Sequence, residues 1–191
     1  KNHNLGFMFA PSYHPAMKYA MNVRNDLKLK TVFNILGPLC NPALVKSQAM
    51  GTFDKNLTEI QAKVLKNLGS KNVMTFCSNE GLDELTTTGK TKVTQFMNGG
   101  EIESFEFEPE NIGLKRSKIK DLKGGTPDEN AKIIIEILRG AEGPKTDIVL
   151  LNAAAGIIVG GKADDFQSAF KIAKLSVKNG NAIKVLEGLR S

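Results

Sequence analysis

The stretch SQAMGTFDKNLTEIQAKVLKNLGSKNVMTFC, residues 47–77, decides the architecture. Residues 47–53 read as a buried strand. Thr58 and Gln61 stand at capping-box spacing, and Ile60, Val64, Leu65 and Leu68 recur on one helical face until Gly69 ends the pattern. Residues 73–77 form a second short apolar run of strand character. Strand, helix and strand with such short joints predict two parallel strands linked by a right-handed crossover.

C-terminal to that unit the period changes. Val93, Gln95 and Met97 alternate with Thr94 and Phe96, Asn98-Gly99-Gly100 makes a turn, and residues 102–107 run on as a partner strand. This is a hairpin signal, read as a peripheral ribbon beside the parallel core. After a lysine-rich loop, Thr126-Pro127-Asp128-Glu129 opens a helix with Pro at its first position, Ile134, Ile137 and Leu138 on one face, and Gly140 at its end. Residues 147–159 are apolar nearly all round. Their length and alanines predict a central buried helix rather than a strand. Phe166, Ala169, Phe170, Ala173 and Val177 mark an amphipathic helix, and Ile183, Leu186 and Leu189 mark a last one.

N-terminal to residue 47, Pro15 suits the first position of a helix over residues 15–29, followed by Met17, Ala20, Met21, Arg24 and Leu27. Residues 31–36 predict a short helix stopped by Gly37-Pro38. The expected class is α/β: a mainly parallel sheet flanked by helices, with a peripheral β-hairpin.

Composition narrows the function classes. Hydrophobic residues make up 41% and charged residues 24%, ordinary for a globular domain. The net charge of +6 favours anionic partners such as phosphates, but the lysines are scattered, which argues against a nucleic-acid surface. Cys40 and Cys77 have no CxxC or His-spaced partner, so two reduced, semi-buried thiols are expected rather than a zinc site or disulfide framework. The apolar run of residues 148–159 contains Asn152 and is too short to span a bilayer. Its Gly156–Gly160 spacing fits close packing in a core. No signal peptide is visible, and a cytoplasmic, membrane-free protein is expected. The chain opens on Lys1, not Met, and reads as lacking a front end.

The chemistry-bearing residues are densest in residues 6–42: Gly6-Phe-Met-Phe-Ala-Pro, His14-Pro-Ala-Met-Lys, Val23-Arg24, Thr31-Val-Phe-Asn-Ile-Leu-Gly-Pro-Leu and Asn41-Pro42. An arginine fork matches a carboxylate, so Arg24 with His14 suits a small aromatic acid; a structural ion pair is the ordinary alternative. Asp83-Glu84 follows the strand at 73–77, at the edge where open α/β sheets bind ligands. Hard carboxylate oxygens suit Mg²⁺, though an adjacent acidic pair also occurs in plain solvated loops. Gly124-Gly125-Thr126 fits a phosphate cradle or a plain helix cap.

These residues together resemble the anthranilate phosphoribosyltransferases, of the nucleoside phosphorylase/phosphoribosyltransferase fold. The likeness continues through Gln48, Gly51, Gly81-Leu82-Asp83-Glu84, Asn130-Ala131 and Leu151-Asn152-Ala153-Ala154. The resemblance implies that residues 1–191 are the C-terminal α/β domain, with residues 15–43 packing on an N-terminal helical domain not present in these 191 residues. It implies transfer of a phosphoribosyl group from phosphoribosyl pyrophosphate (PRPP) to the amine of anthranilate, a step of tryptophan biosynthesis, by a Mg²⁺-dependent homodimer. It assigns the anthranilate carboxylate to Arg24, the acceptor channel to His14, Gly37, Pro38 and Met17, and the metal to Asp83 and Glu84, with no covalent nucleophile. A Gly-Thr-Gly-Gly-Asp phosphate loop is expected in such enzymes and is absent here, so residues 1–191 alone are expected to be inactive. Two further readings are a pyrimidine nucleoside phosphorylase relative and a non-catalytic nucleic-acid-binding relative.

Overall fold

A computed structural model describes residues 5–13, Pro15, Tyr19, Asp26 and residues 33–190. The chain divides into two compact units, Lys1–Val45 and Lys46–Ser191. In the first, helices α1 (Ala10–Tyr13) and α2 (Phe33–Leu39) are described. Gly37-Pro38 does not stop α2, as the sequence suggested. Pro38 sits in the last turn, where its missing N–H removes a single intrahelical bond, and the helix runs on to Leu39. The predicted helix over residues 15–29 lies largely outside the described residues.

The second unit is built on a four-stranded sheet in the order β1 (Ser47–Gly51), β2 (Asn72–Ser78), β3 (Thr91–Phe96) and β4 (Glu103–Phe107). β1 and β2 are parallel, with Ala49 opposite Met74, and helix α3 (Leu57–Asn67) makes the crossover between them. The α/β class therefore holds, and so does the parallel crossover. The expectation of a mainly parallel sheet is corrected: β2–β3 and β3–β4 are both antiparallel. The hairpin is not peripheral either, because β3 lies inside the sheet with Val93 and Phe96 buried. Its tight turn has Asn98 at φ 54° and Gly99 at φ 71°, the positive values that primed hairpin turns require.

The sheet's two faces differ. On one, Met74, Phe76 and Val93 pack with Leu151, Ala154, Ala155, Ile158, Val159 and Ala169, which lie on helices C-terminal to the sheet. Helices α4 (Ile119–Leu122), α5 (Pro127–Leu138), α6 (Pro144–Val159), α7 (Phe166–Lys178) and α8 (Asn181–Arg190) follow the sheet in sequence. α6 is the central apolar helix predicted over residues 147–159. α5 begins as expected: Thr126 Oγ1 accepts the Glu129 N–H, and Glu129 accepts the Thr126 N–H in return.

The other face carries Thr75 and Thr94 beneath α3, since alternate strand residues point to opposite sides. Thr75 Oγ1 donates to the Thr58 carbonyl at 2.8 Å, and Thr94 Oγ1 donates to Thr58 Oγ1 at 3.0 Å. Thr58 is thus no cap. It lies inside α3, fully buried, while the Asp54 side chain accepts the Asn56 N–H at the helix start. The buried side of α3 is Thr58, Gln61, Ala62 and Leu65; Ile60 and Leu68, expected on the apolar face, are exposed. Cys40 is exposed and Cys77 buried, rather than both semi-buried, and neither forms a disulfide.

Candidate functional site

Asp83 and Glu84 lie in the loop of residues 79–90 that joins β2 to β3. The loop starts at the C-terminal end of β2, beside the C-terminal end of β1, the edge predicted from the sequence. A turn based on Ser78 launches it. Ser78 accepts the Gly81 N–H on its carbonyl and the Leu82 N–H on Oγ, and its own N–H donates to the Leu82 carbonyl. Gly81 sits at φ 81°, a conformation that costs a side-chain-bearing residue strain.

Beyond the turn the chain crosses the end of β1 in close contact. A Cβ on Gly51 would stand 1.7 Å from the Asp83 carbonyl oxygen. Two residues later Leu85 is fully buried and joins the apolar core. There the Asn152 side chain of α6 brackets its backbone: Oδ1 accepts the Leu85 N–H at 3.0 Å, and Nδ2 donates to the Leu85 carbonyl at 2.9 Å. The rest of the loop is tied by hydroxyls. Thr91 Oγ1 accepts the Thr86 N–H, Thr86 Oγ1 accepts the Thr88 N–H, Thr88 bonds Glu80, and Thr87 bonds Ser117. The β2 end of the loop closes where the Asn79 N–H donates to the Lys90 carbonyl.

Amid so many backbone and hydroxyl bonds, neither the Asp83 nor the Glu84 carboxylate has a hydrogen bond or ion pair among the described residues. Both residues are exposed. Partial desolvation, and after it the charge of Asp83, hold the Glu84 carboxyl above its ordinary value. Two adjacent exposed carboxylates offer the hard oxygen ligands that suit a divalent cation. Mg²⁺ commonly binds through one or two carboxylates and completes its shell with waters and substrate phosphates. Among the described residues no group of three or more His, Cys, Asp or Glu forms a self-contained metal cage.

The other sequence candidates divide. Gly37 and Pro38 lie on α2 in the first unit, with Gly37 exposed. His14, Met17 and Arg24 lie outside the described residues. Gly124-Gly125-Thr126 is a helix cap rather than an open cradle: the Gly125 N–H donates to Asn130 Oδ1 and the Thr126 N–H to Glu129 Oε2. A cleft of about 380 Å³ bordered by Lys55, Asn56, Asn79, Lys92 and Ser104 includes neither Asp83 nor Glu84. Sequence reasoning matched Gly51 and Asn152 to the pattern of relatives without giving either a role. The signals were a glycine at a strand end and one amide in an apolar helix. Among the described residues, no helix is long and apolar enough to cross a membrane.

The sequence and the fold both have known relatives. The chain is 47% identical over 181 residues to the anthranilate phosphoribosyltransferase of Clostridium kluyveri, covering 95% of this chain and 54% of that protein. It superposes on the anthranilate phosphoribosyltransferase of Thermus thermophilus with a TM-score of 0.87 at 36% identity, covering 97% of this chain and 55% of that one. The Saccharomyces cerevisiae enzyme in complex with PRPP and Mg gives a TM-score of 0.82 at 30% identity, over 91% of this chain and 50% of that one. The chain thus spans about half the length of the curated relatives it matches. The model of the glycosyl transferase family, a/b domain, matches residues 1–183, and with it the chain belongs to that family.

Proposed function

We propose that this chain is the acceptor and metal half of an anthranilate phosphoribosyltransferase. The observation that carries the reading is the Asp83-Glu84 carboxylate pair, without a partner among the described residues, on a loop anchored at Ser78 and Leu85 at the C-terminal edge of the parallel strands. The likeness to enzymes of that name supports the choice of substrates. In the reaction, the anthranilate nitrogen forms a bond to the anomeric carbon of PRPP, the bond from that carbon to pyrophosphate breaks, and the nitrogen loses a proton.

In this reading Arg24 binds the anthranilate carboxylate through its planar fork and so aims the amine. His14, Met17, Gly37 and Pro38 line the acceptor channel. Asp83 and Glu84 would hold Mg²⁺, which when bound offsets the negative charge growing on the leaving pyrophosphate. Positioning and electrostatics carry the rate, with no covalent nucleophile. The donor's phosphate cradle comes from a Gly-Thr-Gly-Gly-Asp segment that these 191 residues do not contain. The enzyme works as a cytoplasmic homodimer.

The test is turnover of anthranilate and PRPP, followed by the loss of anthranilate fluorescence, in a polypeptide that supplies the donor loop. Mg²⁺-dependent turnover is expected there, and none from residues 1–191 alone. Arg24→Ala should raise KM for anthranilate more than KM for PRPP. Equal effects on both substrates would remove Arg24 from the acceptor site, and turnover indifferent to Mg²⁺ would overturn the metal assignment.

A further inference from the structure

We infer that Asn152 and Gly51 are positioning residues that fix the Asp83-Glu84 carboxylate pair from two sides before any metal arrives; the inference rests on the metal-site reading above. The physical problem is repulsion. Two adjacent carboxylates that have no partner among the described residues repel each other when both are charged. A loop bearing them would swing them apart into water unless its backbone were anchored on both sides of the pair. Each side has an anchor.

On the C-terminal side the anchor is Asn152. It is a polar side chain on a helix whose neighbours Leu150, Leu151, Ala154, Ala155 and Ile158 are buried. Its amide donates to its own helix at the Ile148 carbonyl at 2.9 Å, which fixes its orientation. It then uses both its oxygen and its nitrogen on the backbone of Leu85, the residue after Glu84. On the N-terminal side the anchor is a missing atom. Gly51 is not among the glycines of positive φ, so its torsion does not call for glycine. Space does: its Cβ would collide with the backbone of Asp83 at both the carbonyl oxygen and carbon, and backbone cannot swing aside as a side-chain tip would. Asp83 thus rests on β1 and Leu85 is pinned to α6, which leaves the two carboxylates little freedom except at their own side-chain torsions.

Mn²⁺ serves as the probe, with binding read by electron paramagnetic resonance well below each variant's melting temperature. The Asp83→Asn/Glu84→Gln double variant should lose binding. Asn152→Ala and Gly51→Ala should each weaken it roughly 10-fold or more, the usual cost of removing a group that orients a metal ligand. Ile137→Ala, which destabilises α5, should keep wild-type affinity. Wild-type affinity in both Asn152→Ala and Gly51→Ala, with loss in the carboxylate variant, would overturn the positioning role and leave the metal site standing. Unchanged binding in the carboxylate variant would overturn the metal reading, and the positioning role with it. A second measurement needs no variant. Amide exchange at Leu85 in metal-free wild type should be slow and insensitive to Mg²⁺. Fast exchange that slows only with Mg²⁺ would mean that the ion, not the anchors, orders the loop, and would overturn the inference.

Discussion

Two glutamates, Glu59 on α3 and Glu84 on the β2–β3 loop, meet opposite fates. Glu59 faces Lys92 of β3 at 3.0 Å, and that hydrogen bond and charge hold its carboxyl below the ordinary range. Glu84 has no cation partner among the described residues, and desolvation with the Asp83 charge holds it above. Around Glu59 the polar groups are matched: Lys92 and Ser104 approach its oxygen, and Thr58, Thr75 and Thr94 interlock beneath. Around Glu84 the neighbouring backbone is bonded at Leu82 and Leu85, while the carboxylates have no partner among the described residues. The lesson is that polarity used by the fold shows up as partners, whereas the proposed ligand-binding acids stand without them among the described residues, on a loop tied down at Ser78, Leu82 and Leu85.

The largest expected break in this contrast is chemical. In a polypeptide that supplies the donor loop, Asp83→Asn with Glu84→Gln should lower Mg²⁺-dependent transfer by on the order of 10²-fold, the scale of losing one preorganised electrostatic group, while the urea midpoint does not fall below wild type. Retained turnover would show that the pair is idle. Next comes the matched side. Thr94→Val deletes a buried hydroxyl that meets both Thr58 and Ser104, and should cost about 1–3 kcal/mol in urea unfolding without a change in metal affinity.

Smaller effects sharpen the contrast through pH. The native state binds the Glu84 proton more tightly than the unfolded chain does. Its ionisation therefore lowers stability above its folded pKa, and that cost disappears as pH falls below the ordinary carboxylate value. Glu84→Gln should accordingly raise Tm of the metal-free protein at neutral pH and leave it unchanged in acid. Glu59 has the opposite sign. Its contribution is present above the ordinary carboxylate value and is lost as pH falls through its depressed folded pKa. Glu59→Gln should lower Tm slightly at neutral pH, less so in salt, with the difference vanishing in acid. The same sign of shift for both variants would erase the distinction.

The parts of the fold legible in the sequence were those governed by local rules. Thr126-Pro127-Asp128-Glu129 started a helix because cap and box partners are three residues apart, and Gly69, at φ 81°, ended one. The parts that escaped depend on distant partners. Thr58 and Gln61 match a capping box as a string, yet Thr58 answers to Thr94, which is 36 residues away. The direction of β3 was hidden because a connection spanning residues 79–90 fits an antiparallel return as well as a longer excursion. In the site, Asp83-Glu84 stood out as an acidic pair after a strand. What holds that pair could not be seen, since Leu85 and Asn152 are 67 residues apart.

That separation also has a consequence in time. β2 and β3 pair across a short loop, and contacts of low sequence separation form at little loop-closure cost. The bracket on Leu85 waits until a helix from much later in the chain has docked. The hairpin that carries the two acids therefore assembles early, and the acids reach their final places only when α6 arrives. During refolding, ion affinity should recover in step with burial of α6 and later than hairpin formation, so a bound ion would mark the last event of folding rather than the first.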